Sequence, residues 1–350
     1  MKKLIPVLGL ALVAIAGTAT IAQGRSQSAK AGADICVLLP DTKSSVRWET
    51  ADRPFLDKAF KAAGISHTIV NAEGDAQKQK TQADSCLSNG AKVLVYASLD
   101  AGSAKAIDAA AKAKGAKVVD YDRLNVGGSA AVYVSFDNVA VGKLMGQGVV
   151  ADLKARGKLG SKPVIAYLNG GPTDNNATLF KQGYAGVIDP LFKSGKAIKG
   201  PDQAVPGWDN QKARTIFEGM LAKTNNKIDA VAAANDGLAN AVVTALKAKK
   251  LKSIPVSGQD ATAQGIQNVL AGYQSGSVYK AVRAEANAAA KAAIALAKGG
   301  KPVTTAKVSG TPSVLLVPKW ITKKNYTFLF TDGYLKKSDV CNGAYKKYCK

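Results

Sequence analysis

The sequence predicts an α/β protein with two lobes of parallel sheet, and three observations carry that prediction. From Asp34 onward, short strand-like runs alternate with amphipathic helical stretches, the order expected of βαβ units. The alternation comes in two sets, so the same kind of lobe is present twice. No Pro/Gly/Ser-rich linker divides the sets. The transitions near Phe136 to Val139, Val278 to Lys280 and Ser309 to Leu315 read instead as repeated crossings through one shared hinge.

The first set opens with Ile35 to Leu39, an unbroken apolar run of strand length. His67 to Val70, Val93 to Tyr96, Val118 to Tyr121 and Val132 to Phe136 follow, with helices expected at Glu49 to Ala63, Ala76 to Asn89 and Ala101 to Lys114. The second set is Val164 to Leu168, Gln203 to Val205, Ala230 to Ala234 and Ile254 to Ser257. Its helices are expected at Asn176 to Leu191, Asn210 to Lys223, Leu238 to Lys249 and Ala261 to Ala271; in the second of them Ile216, Phe217, Met220 and Leu221 make one apolar face. An Ala-rich helix from Ala281 to Lys298 stops at Gly299-Gly300, and Ser313 to Val317 reads as a late strand. The expected division is 34–137 with 280–308 as one lobe, 138–279 with 309–338 as the other, and 339–350 as a tail.

Met1-Lys2-Lys3 and the uncharged stretch Leu4 to Ala22 have the form of a signal peptide spanning 1–22, with Thr20-Ile21-Ala22 as a cleavage site and 23–33 as a leader. An uncleaved anchor is the competing reading, because a run of this length just spans a bilayer. Export places the chain in the periplasm or at the cell envelope, where its four cysteines can form two disulfides. Cys341 and Cys349 share one short tail and are expected to pair. If the strand order runs 2-1-3, the helix carrying Cys86 crosses over the first strand and meets Cys36; two buried thiols in contact are the alternative. The net charge of +23 invites a nucleic-acid reading. The lysines, however, are spread over almost every expected helix, with no arginine-rich arm and few aromatics among them, which is the pattern of a solvated surface, adhesion to anionic envelope material or membrane being the alternative.

Polar motifs end or follow the expected strands: Lys43-Ser44-Ser45-Val46-Arg47-Trp48, Asp122-Arg123, Asp174-Asn175-Asn176, Asn235-Asp236, Gln259-Asp260 and Tyr279-Lys280. In open α/β sheets, ligands bind outside the carboxyl ends of the strands, so these residues can converge on one site. Their chemistry suits a polyhydroxylated molecule. Asp122, Asp174 and Asp260 are acceptors, Arg47, Arg123 and Lys280 are donors, and Asn176 and Asn235 do either. Trp48 or Trp208 can cover the apolar face of a sugar ring. Each motif has a structural alternative: an ion pair for Asp122-Arg123, a helix cap for Asp174 and Asp260, a surface position for Lys280, a packed turn for Trp208. Catalytic patterns are scarce. The single histidine, His67, lies in an expected strand with no carboxylate motif nearby, and no Gly-x-x-x-x-Gly-Lys loop is present. No metal or cofactor is expected.

Taken together, Thr42 to Trp48, Tyr121-Asp122-Arg123, Ser135 to Asn138, Gly170-Gly171 with Asp174 to Asn176, Lys227 to Val231, Asn235-Asp236 and Ser257 to Asp260 resemble the xylose-binding and multiple-monosaccharide-binding branch of periplasmic sugar-binding proteins. The resemblance runs from about Asp34 to Leu335. It implies a type I periplasmic-binding fold with two Rossmann-like lobes, three hinge crossings and a sugar in the cleft, in a non-enzymatic, monomeric protein that delivers its ligand to the membrane permease of an ABC importer. Docking on a chemoreceptor is the alternative. A DNA-binding repressor on the same core would need a helix-turn-helix where this chain has its export segment, and a sugar-modifying enzyme would set paired carboxylates to acid–base work. Thr42 to Trp48 looks more like the multiple-sugar receptors and Asn235-Asp236 more like the xylose receptors, which leaves pentose or hexose open.

Overall fold

A computed structural model describes residues 32–349; the expected signal segment, and the leader up to residue 31, lie outside them. The first sheet has seven strands: β1 (Ile35–Leu39), β2 (His67–Asn71), β3 (Val93–Tyr96), β4 (Lys117–Tyr121), β5 (Val132–Phe136) and, from late in the chain, β10 (Ala306–Val308) and β11 (Thr311–Leu316). The second sheet holds β6 (Val164–Asn169), β7 (Ile198–Ala204) and β8 (Ala230–Ala233), and β9 (Ser277–Tyr279) pairs with β12 (Lys319–Ile321). The helices are α1 (Arg53–Ala62), α2 (Ala76–Ser88), α3 (Ala101–Ala113), α4 (Asn138–Ala155), α5 (Asn175–Lys193), α6 (Asn210–Lys223), α7 (Asp236–Ala248), α8 (Ala263–Ala271) and α9 (Val282–Ala297).

The first sheet runs β10-β11-β5-β4-β3-β1-β2 and is parallel except at the β10–β11 hairpin. β1 sits between β2 and β3 as the 2-1-3 order requires. All five of its residues are buried, as expected for a strand covered on both faces. Alternate residues feed two cores. Ile35, Val37 and Leu39 pack with α1 and α9 residues such as Phe60 and Ala289, while Cys36 and Leu38 pack with α2 and α3 residues such as Leu87 and Ile107. The crossover brings Cys86 onto Cys36, and the two form a disulfide.

The second lobe is built on β7-β6-β8, with one core formed by residues such as Phe180, Tyr184, Phe217 and Val242. Its helix α4 is absent from the sequence expectations. Eight of its residues are buried, among them Gly142, Gly146 and Gly148. Burial on several sides blurs the helical period, and glycine lowers helix propensity. Gly142 and Gly146 serve packing against α5, while Gly148 faces Trp320: an added Cβ at Gly142 would lie 2.0 Å from the Phe180 carbonyl oxygen, and one at Gly183 of α5 would lie 2.2 Å from that of Val139.

Three further expectations are corrected. Ile254 to Ser257 contributes only one parallel bridge, Val231 to Val256. The strand expected at Gln203 to Val205 is the end of the longer β7. The division at 308/309 falls inside the first sheet, because β11 pairs with β5 from Ser313 to Leu316; the chain leaves that sheet only at Val317-Pro318. The lobes are thus joined between β5 and α4, between β9 and α9, and between β11 and β12. Beyond β12, a small cluster with Tyr326, Leu329 and Val340 packs on α8 and β9, and a disulfide joins Cys341 to Cys349. Among the described residues, no helix is long and apolar enough to cross a membrane.

Candidate functional site

Between the lobes lies a cavity with about 310 Å³ of space free of protein atoms, counting its opening to solvent. All ten residues singled out from the sequence line it: Arg47, Trp48, Asp122, Arg123, Asp174, Asn176, Trp208, Asn235, Asp260 and Lys280. Ser44, Ser45, Phe180 and Gln259 complete the lining. The first lobe supplies the loop after β1 and the turn after β4. The second supplies the N-termini of α5 and α7, the Trp208 turn and the segment before α8. Lys280 stands in the crossing between β9 and α9.

Backbone conformation aims several of these groups. Asp122, Trp208 and Asp260 have φ of +61°, +56° and +90°, a left-handed region that costs a non-glycine residue energy and persists only where the surroundings fix it. At Asp122 the fixing groups are visible: its carbonyl accepts from Ser135 Oγ at 2.8 Å, Asn176 Nδ2 at 2.9 Å and Tyr133 Oη at 3.1 Å. Trp208 seats over Gly170, where an added Cβ would lie 2.1 Å from the indole ring.

Buried charge organises the first-lobe wall. Arg47 is 2% exposed. Its Nε donates to Asp52 at 2.9 Å, Nη2 donates to Asp52 at 2.7 Å and Glu285 at 2.5 Å, and Nη1 donates to Asp122 at 3.0 Å. Of the five N–H groups of a guanidinium, four are thereby taken and one on Nη1 is left. Tyr121 donates its hydroxyl to Asp52. Burial opposes the charge on Arg47, but Asp52, Glu285 and Asp122 outweigh it and strengthen its hold on the proton. Burial likewise opposes ionisation of Asp122, yet Lys280 Nζ at 3.1 Å, with Arg47 and Arg123, holds its carboxyl below the usual range. Lys280 is pushed up, its burial outweighed chiefly by Asp122. At Glu285 burial wins over the attraction of Arg47 and raises the carboxyl well above its ordinary value.

The second-lobe wall combines caps with cavity groups. Asp174 caps α5 by accepting from the Asn176 N–H at 2.9 Å, and its other oxygen lies 3.1 Å from Arg123 Nε and 3.2 Å from Trp208 Nε1. Burial raises its pKa against the pull of Arg123. Asn235 caps α7 through the Leu238 N–H at 2.9 Å while its Nδ2 donates across the cleft to the Ser44 carbonyl at 3.1 Å. Capping and lining the cavity coexist at both positions. Asp260 is no cap, since Thr262 caps α8; its Oδ2 accepts from Ser45 Oγ at 3.0 Å. Lys280 is 3% exposed, so it is no surface lysine. The Arg47 and Arg123 guanidiniums lie 4.8 and 5.5 Å from the Trp48 ring centre, within cation–π range.

Sequence reasoning missed the groups behind the wall. Glu285 is the single acidic residue of α9, and a lone carboxylate on an Ala-rich helix was the available signal. It also missed the partner of His67: Nε2 lies 3.0 Å from Asp57 on α1, and Nδ1 lies 3.0 Å from the Ile65 carbonyl. Only the fold brings that carboxylate near. Trp320 packs outside the cavity, against Gly148 and Gly276. Among the described residues no cluster of three or more metal-ligating side chains occurs.

Residues 35–301 match a family described as a periplasmic binding protein domain. The chain is similar to the D-xylose-binding periplasmic protein of Escherichia coli K12, at 34% identity over 84% of this chain and 88% of the relative. It is also similar to a multiple sugar-binding periplasmic receptor of Rhizobium radiobacter, at 30% identity over 85% and 89%. Among solved structures it resembles an ABC transporter solute-binding protein from Clostridium phytofermentans with bound β-D-glucose, at 30% identity and a TM-score of 0.81 over 87% of this chain and 99% of that one.

Proposed function

The chain belongs to the periplasmic binding protein family, and on that premise we propose that its cavity captures a monosaccharide, xylose or a related aldopentose or aldohexose, for delivery to an ABC importer. The observation that carries the choice of ligand is a pair of unused acceptors. Asp260 and Gln259 line the cavity, and their Oδ1 and Oε1 are buried and accept no hydrogen bond among the described residues, Lys280 Nζ standing 3.7 Å from Asp260 Oδ1. A buried acceptor without a donor costs about 1–3 kcal/mol, and ring hydroxyls are the donors that relieve it.

In this reading Asp122, Asp174 and Asp260 accept from hydroxyls, Arg123, Lys280 and the remaining N–H of Arg47 donate, and Asn176 and Asn235 do both. Trp48 or Trp208 covers the apolar C–H face. The protein acts as a monomeric exported binding component, not a catalyst, in the periplasm or at the cell envelope. Docking on a membrane chemoreceptor is the alternative.

Thermal unfolding against a panel of pentoses and hexoses tests the proposal, because a ligand bound only by the native state raises Tm. The expected result is a clear rise with one or a few aldoses. No rise with any of them would overturn the sugar assignment.

A further inference from the structure

The cluster beyond β12 carries charge that the sugar site does not use. Between 319 and 347 it has seven lysines against two aspartates and no glutamate. All seven lysines are exposed, and every lysine ion pair among the described residues lies elsewhere in the chain. Of the two aspartates, Asp332 is engaged by the Tyr279 hydroxyl at 2.6 Å, and the Asp339 carboxylate accepts from the adjacent Ser338 Oγ at 3.3 Å. The segment also lies beyond residues 35–301, the part that matches the family.

This charge is held in place. Ile321, Tyr326, Leu329 and Val340 are buried toward α8 and β9, so the lysines occupy the outside. Gln267 of α8 donates to the Val340 carbonyl at 3.1 Å, and the Cys341–Cys349 disulfide closes the loop that carries Lys346 and Lys347. Like charges fixed together repel and attract a multivalent anion. Val317, two residues before Lys319, is 88% exposed, and Tyr348, next to Lys347, is 41% exposed. An aliphatic and an amphipathic aromatic side chain beside lysines suit a bilayer interface, where the apolar part enters and the charge meets headgroups. A soluble polyanion would use the charge alone.

We propose that this cluster is a docking surface for anionic phospholipid bilayers and holds the protein at a membrane independently of its sugar ligand. The four lysines Lys336, Lys337, Lys346 and Lys347 supply the contact nearest the disulfide. Each lysine near an anionic surface contributes about fivefold in partitioning, so neutralising four lowers it on the order of several hundredfold.

Flotation of the full chain with phosphatidylcholine vesicles, with and without about one-third phosphatidylglycerol, tests this. Three proteins are compared: wild type, the variant with Lys336→Gln, Lys337→Gln, Lys346→Gln and Lys347→Gln, and a control with Lys105→Gln, Lys112→Gln, Lys114→Gln and Lys117→Gln on the first lobe. The N-terminal apolar segment is common to all three and cancels. Circular dichroism checks that each is folded. The proposal expects phosphatidylglycerol-dependent binding of wild type and control that added salt weakens and that the tail variant loses. It is overturned if anionic lipid adds no binding, if the two variants lose binding equally, or if soluble polyphosphate is bound by the tail while vesicles are not. A failed sugar titration leaves this outcome untouched, and the reverse holds.

Discussion

Asp260→Asn isolates the contribution of one carboxylate to ligand capture. The substitution keeps shape, and asparagine tolerates the positive φ at this position. One carboxylate oxygen accepts from Ser45, the other accepts nothing from the protein, and Lys280 Nζ stands 3.7 Å away with Asp122 as its nearer partner at 3.1 Å. Removing the charge therefore leaves the resting ion pairs largely in place. A hydrogen bond to a charged acceptor contributes about 1.5–3 kcal/mol and a neutral one about 0.5–1.5. The expected loss is about 1–2 kcal/mol in binding, or about 5- to 30-fold in Kd, while the Tm of the ligand-free protein changes little. Calorimetric titration with D-xylose and D-glucose, beside ligand-free unfolding of both proteins, gives the two numbers. Unchanged affinity for the sugar that wild type binds would remove Asp260 from the site, and an equal loss of ligand-free stability would make it a structural residue.

Three further outcomes are expected. Burial pushes the Asp236 carboxyl up to about 7 in spite of its donors Ser277, Gln274 and Thr262; the unfolded carboxyl titrates near 4. Between those values the native state holds a proton the unfolded state has released, so stability falls as pH rises, by up to about 1.4 kcal/mol per pH unit, and urea unfolding of Asp236→Asn should lack that slope. Gly142→Ala drives a methyl into the Phe180 backbone and is expected to cost about 1–3 kcal/mol or more; because Phe180 lines the cavity, ligand affinity falls with it, and normal values of both would refute the tight helix contact. Replacing Cys36 and Cys86 by alanine opens a closure of 50 residues and is expected to cost about 2–4 kcal/mol, read as a lower urea midpoint.

What was legible followed the kind of signal each element leaves in the chain. β1, β3 and β5 are buried, largely apolar runs with a charged residue at one end, and their expected limits coincide with the strands. Helix α6 shows a clean apolar face and coincides too. Helix α4 does not, because Gly142 and Gly146 answer to the backbone of α5 and Gly148 to Trp320, partners no local window contains. The cavity residues were legible because each lies at the end of a strand or the start of a helix, where topology alone assigns a direction. Asp52, Glu285 and the Ser44 and Ser45 hydroxyls were not. Their roles rest on hydrogen bonds between residues as far apart as Arg47 and Glu285, and sequence spacing says nothing about such pairs.

The balance between open and closed lobes follows from which polar groups closure satisfies. Across the cleft Asn235 reaches the Ser44 carbonyl, Ser45 reaches Asp260, and Asn176 reaches Asp122 at 2.9 and 3.1 Å. Each such bond adds about 0.5–1.5 kcal/mol net, so the protein contributes a few kcal/mol toward closure from its own groups. In this structure Asp260 Oδ1 and Gln259 Oε1 are buried without hydrogen-bond donors, Lys280 Nζ standing 3.7 Å from the first, at about 1–3 kcal/mol each, which offsets much of that gain. A ligand shifts the equilibrium only through what it binds better in the closed form. A sugar with hydroxyls facing these two oxygens removes the offset, whereas an epimer or deoxy sugar lacking one leaves a buried acceptor unpaired. Discrimination by a site built to pair a hydroxyl is steep for that reason, so on the proposed sugar reading selectivity is expected to concentrate at Gln259 and Asp260, while Arg47 commits four of its five N–H groups to Asp52, Glu285 and Asp122.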